Sequence, residues 1–180
     1  MMADELDRVP PVTVLGIGNI VLRDEGFGVR VAEYIDKNYE FPDEVQVLDG
    51  GTLGMELLRF ITGTKKLLIL DAVKADKPPG TIYHLEGGEV KNHFAEKLSA
   101  HEIGIQDVLT LLELTGKPIT EVTVIGAVPA DLEAGTELSE MLKPIVEKAA
   151  EMAMASLRDW GVEIRKRQHS IKEKNNDSLS

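Results

Sequence analysis

VTVLGIG, residues 12–18, is a short apolar run closed by glycine, and it reads as a buried strand. Immediately downstream Phe27, Val31, Tyr34 and Ile35 recur at helical spacing, with Asp24 placed to cap the helix they mark. The same alternation repeats along the chain. VQVLD (45–49) is a second strand, closed by Gly50-Gly51 and followed by a helix marked by Leu53, Leu57, Phe60 and Ile61. LLILD (67–71) is a third strand, apolar throughout as expected of a strand covered on both faces. TIYHL (81–85) alternates like an edge strand, and residues 86–98 show no firm period. Ser99 and Glu102 form a capping box for a helix along Ile105, Val108, Leu109 and Leu112, and residues 122–128 make another apolar strand. A last helix is expected from about Ser139 to Gly161. Strands alternating with helices predict a three-layer α/β/α domain around a mainly parallel, twisted sheet of about five strands.

The limits follow from the same reading. Residues 12–162 form the single expected domain, residues 1–11 are expected to fray, and residues 163–180 to be a flexible polar tail. A hydrophobic share of 43% supports a core in a chain of 180 residues, and the absence of cysteine excludes disulfides, thiolate metal sites and cysteine nucleophiles. The net charge of the chain is −11, and since residues 163–180 are net basic the acidic excess on residues 1–162 is larger still. An acidic body argues against nucleic acid and anionic membranes as partners. No signal peptide and no apolar run of membrane-spanning length is read, so a cytoplasmic location is expected.

In doubly wound sheets ligands sit beyond the carboxyl ends of the strands. Three carboxylates and one imidazole are candidates for that edge. Glu25 falls in the first turn after Asp24, where a helix N-terminus stabilises a carboxylate; Asp24 is its rival, better suited to capping. Asp71 ends LLILD, half buried among apolar neighbours, and must meet a cation, a proton or hydrogen-bond donors such as the amides of the next loop. Asp49 ends VQVLD in the same way, though Gly50-Gly51 gives it an ordinary turn role. His101 lies in the first turn of its helix, where the positive helix end favours a neutral, ligating ring. His84, His93 and His169 read as ordinary side chains. Glu25, Asp71 and His101 together make an O/O/N set with open positions, suited to Ni²⁺, Zn²⁺ or Fe²⁺ and to hydrolysis.

The chain resembles the hydrogenase maturation endopeptidases, which trim the C-terminal extension from the [NiFe]-hydrogenase large-subunit precursor. The resemblance is carried by GIGNIVLRDEGFGVR (16–30), LDGGTLGMELL (48–58), LLILDAV (67–73), LSAHEIGIQDVL (98–109) and IGAVPADLE (125–133). It implies that Glu25, Asp71 and His101 are the nickel-binding positions of a three-layer fold. It also implies a single cut made after nickel insertion, with the nickel supplied by the substrate and Zn or Cd able to take its place. The resemblance leaves open whether the ion activates the attacking water or whether Asp49 or a ligand carboxylate such as Asp71 serves as general base, some treatments classing the family as aspartic-type. The expected partner is the large-subunit precursor, and the expected state is a monomer. The segment 86–98, leading into His101, is the candidate for a mobile flap.

Three other readings compete. Gly16-x-Gly18 after a first strand, with Asp49 ending the second, suggests a nucleotide-binding domain, but Val21 stands where the third glycine belongs and Arg23 and Glu25 crowd the turn. A non-catalytic nickel carrier would use the same ligands. A zinc aminopeptidase would carry a fuller ligand set.

Overall fold

The computed structural model describes residues 8–96 and 100–168; the side chains of residues 96 and 100–103 lie outside that description. Seven strands are present among the described residues: β1 (Val12–Ile17), β2 (Tyr39–Glu40), β3 (Val45–Gly51), β4 (Lys66–Ala72), β5 (Ile82–Glu86), β6 (Glu121–Ala127) and β7 (Arg165–Lys166). Five of them form the central sheet in the order β3-β1-β4-β6-β5. Four run parallel and β5 pairs antiparallel to β6 at one edge. The expected edge strand at 81–85 is β5.

Period-two alternation sorts the strand side chains between two cores. Val14 on β1, Leu68 and Leu70 on β4 and Ile125 on β6 pack with helices α1 (Phe27–Asn38) and α5 (Ile145–Asp159). Leu15, Leu67, Ile69 and Val124 face the other way, onto α2 (Leu58–Ile61), α3 (Gly88–Glu96) and α4 (Ala100–Leu114). Three layers result, with helices on both faces as the apolar strands require.

Several expectations are corrected. Residues 86–98 are not irregular: α3 occupies most of them, and its Val90, His93 and Phe94 are buried at i, i+3 and i+4. A histidine in the middle of that face hid the helical period. The last helix begins at Ile145 rather than Ser139, because Pro144 has no N–H to donate back along the chain and residues 140–144 are a series of turns. Residues 163–168 of the expected tail lie among the described residues. β7 pairs with β2, and the Arg167 guanidinium reaches the carbonyls of Asp36 and Tyr39 at the end of α1 and the Glu40 carboxylate. A cation at a helix C-terminus meets carbonyls that lack helical partners. The N-terminal stretch is tied from residue 10, since Thr64 Oγ1 donates to the Pro10 carbonyl and the amides of Lys65 and Lys66 to that of Pro11. Residues 1–7 and 169–180, and both members of the capping box, Ser99 and the side chain of Glu102, lie outside the described residues.

Candidate active site

The site is built at the carboxyl ends of β1, β3 and β4. Asp71 follows Leu67 and Ile69 on alternation, so its side chain points into the layer formed by α3 and α4. There it is 2% exposed. Its Oδ1 accepts the N–H of Ala72 at 2.8 Å, and its Oδ2 lies 3.2 Å from Nε2 of His93 on α3. The imidazole is buried as deeply, at 4%, and packs against the Phe94 ring with centroids 4.8 Å apart. A carboxylate taken from water at this depth has to be met by donors or cations. The amide on Asp71 is that of Ala72, the last residue of β4 itself and not of the following loop, and a second contact is the His93 ring.

Glu25 stands in a 3-10 turn, Arg23–Gly26, just before α1. Two glycines hold that turn against the sheet. Gly18 has φ +130°, and a Cβ there would meet the Glu25 carbonyl at 1.9 Å; a Cβ on Gly28 would meet the Leu70 carbonyl at 1.9 Å. The chain can therefore bring Glu25 to the end of β4 only because both positions lack side chains. Asp49, at the end of β3, is exposed. It is in register with Gly16 of β1, which is in register with Leu70 of β4, so β1 separates it from β4 by two strand spacings, about 9–10 Å. The backbone of His101 lies in the first turn of α4, and its side chain is outside the described residues.

Asp24 is not the cap of α1. Gly26 occupies that position with no side-chain cap bond, and Asp24 is fully buried. Its carboxylate instead gathers the loop that follows β6, accepting the N–H groups of Ala130 (2.9 Å), Asp131 (2.9 Å) and Ser139 (2.8 Å) and the Ser139 hydroxyl (2.8 Å). Asp24 lies within the helical turn, where its side chain cannot reach the α1 amides and can reach the loop. The Arg23 and Asp24 amides donate to the Gly135 and Asp131 carbonyls, and Gly135 N–H donates to Val21. The turn that presents Glu25 is thus fastened on two sides. Those bonds also commit amides that a nucleotide phosphate would need.

His93 was missed by sequence reasoning. Its signal was present as the i+3 member of a buried i, i+3, i+4 set with Val90 and Phe94. Among the described residues no three carboxylate, imidazole or thiol side chains are grouped to hold a metal, the His101 ring lying outside that search. The chemistry of the available donors, carboxylate oxygens at a water-poor strand edge, suits a divalent cation.

A family model described as HycI, hydrogenase maturation protease, matches residues 29–156. The chain is 42% identical over 153 residues to the hydrogenase 2 maturation protease of Escherichia coli K12, spanning 84% of this chain and 93% of that protein. It belongs to the hydrogenase maturation protease family. This maturation protease is also 41% identical over 157 residues to the hydrogenase expression/formation protein HupD of Rhizobium leguminosarum, covering 86% and 78% of the two chains. Among solved structures, the hydrogenase maturating endopeptidase HybD from E. coli matches it with a TM-score of 0.83 and 41% identity, over 87% of this chain and 97% of that one. The maturation protease is therefore a hydrolase on a three-layer α/β/α fold, and the carrier, aminopeptidase and nucleotide readings give way. Among the described residues no helix is long and apolar enough to cross a membrane.

Proposed function

We propose that this protease removes the C-terminal extension of the [NiFe]-hydrogenase large-subunit precursor after nickel insertion, recognising the substrate's nickel through Glu25, Asp71 and His101. The observation that carries the reading is Asp71. A carboxylate 2% exposed at the carboxyl end of the central strand, beside the turn that carries Glu25 and already oriented by the Ala72 amide and His93, is a preorganised oxygen donor for a cation at the edge where such folds bind ligands. Two oxygens and one imidazole hold nickel incompletely, so the remaining positions fall to ligands from the precursor. Cleavage would then depend on the metal being in place. Zn²⁺ or Cd²⁺ would fit the same donors.

Hydrolysis adds water across one peptide bond: the water oxygen bonds the carbonyl carbon, the C–N bond breaks, and a water proton passes to the leaving amine. A carboxylate at the sheet edge serves as the base. Asp71 is beside the expected reaction centre, whereas Asp49 is exposed and one strand removed. The rim supports peptide binding, since Val21 and Leu132 are 53% and 42% exposed on the two loops that Asp24 and Gly135 join. The protease is taken to act as a monomer in the cytoplasm.

The test is Asp71→Ala and His101→Ala assayed on nickel-loaded and nickel-free precursor by mass spectrometry. The expected result is loss of cleavage in both variants with the fold retained, and no cleavage of nickel-free precursor by the wild type. Normal cutting by either variant would remove the ligand assignment.

A further inference from the structure

We propose that His93 is a positioning residue for Asp71, donating its Nε2–H to Oδ2 and so fixing the plane in which the carboxylate meets the ion. The inference rests on the nickel reading above and adds a side chain to it. Three observations carry it. His93 and Asp71 are 4% and 2% exposed, so water does not compete for the bond between them. The Nε2···Oδ2 separation of 3.2 Å is that of a hydrogen bond, and its proton is assigned to the ring nitrogen, the arrangement that leaves Asp71 a carboxylate able to meet an ion. The other oxygen is already held, Oδ1 taking the Ala72 N–H at 2.8 Å, so the two contacts together stop rotation of the carboxylate about its last bond.

The imidazole is itself held. α3 buries Val90 and Phe94 on either side of it, and the Phe94 ring stands 4.8 Å away at 57°. Such partners orient a metal-binding group, and their loss typically costs metal affinity without removing a ligand. A directly ligating His93 would need an unprotonated Nε2 aimed at the ion. Position and proton therefore distinguish the two roles.

The experiment has two arms on the full-length protease. Long-range ¹H–¹⁵N correlation spectra report which nitrogen of His93 carries the proton, and competition with a chromophoric chelator gives the Ni²⁺ affinity of wild type, His93→Leu and His93→Gln. The proposal expects a protonated Nε2, an affinity about 10–100-fold weaker in His93→Leu, and recovery of most of it in His93→Gln, whose amide can still donate. Thermal melts show whether each variant is folded, and the tautomer in the wild type decides independently of both. An unprotonated Nε2, an unchanged affinity in His93→Leu, or a His93→Gln as weak as His93→Leu would each overturn it. Ni²⁺ that is held neither by the wild-type protease alone nor by its complex with the precursor would sink the nickel reading and this role together, whereas normal binding unaffected by His93→Leu would sink this role alone.

Discussion

Gly104 and Gly54 pack backbone against backbone: a Cβ on Gly104 would stand 2.6 Å from the Gly54 Cα. Gly104 lies on α4, three residues beyond His101, and Gly54 follows β3. This contact sets how closely the start of α4 approaches the sheet edge. Alanine in a helix interior is ordinarily worth about 1 kcal/mol over glycine, so Gly104→Ala would stabilise a helix with room for it. Here the clash dominates, and the variant is expected to lose about 1–3 kcal/mol in urea melts, with cleavage reduced because the His101 turn is displaced. Gly88→Ala, where a Cβ meets nothing within 4 Å, is the control and is expected to show neither loss.

The four bonds to Asp24 give a second prediction. Ser139→Ala removes one hydroxyl donor to a buried carboxylate and is expected to cost about 1.5–3 kcal/mol. Asp24→Ala strands three amides and a hydroxyl and is expected to cost about 3–5 kcal/mol, enough to loosen the turn that carries Glu25. Denaturant melts order the two variants. Equal and small losses would show that the loop is held by something else.

The apolar rim supplies a third. Val21→Asp and Leu132→Asp alter exposed side chains, so stability should change by no more than about 0.5 kcal/mol. If the rim seats the precursor, KM for cleavage should rise about tenfold or more, equivalent to about 1.4 kcal/mol of lost binding, while Ni²⁺ binding by the free protease stays unchanged. Unaltered KM in both variants would place the precursor elsewhere.

Much of this fold was legible because its signals are local. Four of the five sheet strands announce themselves as apolar runs and β5 as an alternating one, and α1 and α4 as apolar positions at helical spacing. Signals that depend on tertiary partners were not legible. Asp24 looked like a cap because aspartate before a helix usually is one, and only the loop from residue 129 to 139, more than a hundred positions away, gives it its actual partners. α3 was obscured by one polar letter on its buried face, and the same letter, His93, is the imidazole that meets Asp71. Residues 163–180 read as a flexible polar tail because the charge there gave no hint that Arg167 meets the carbonyls at the end of α1. The positions of Glu25 and Asp71 at one strand edge follow from topology, which the alternation of elements did predict.

The most direct measurement is an anomalous-difference map at the nickel edge from crystals of the protease bound to nickel-loaded precursor. The account predicts one nickel ion with a Glu25 oxygen, an Asp71 oxygen and a His101 ring nitrogen at bonding distance, His93 reaching Asp71 rather than the metal. A nickel ion that touches none of those three side chains would contradict it.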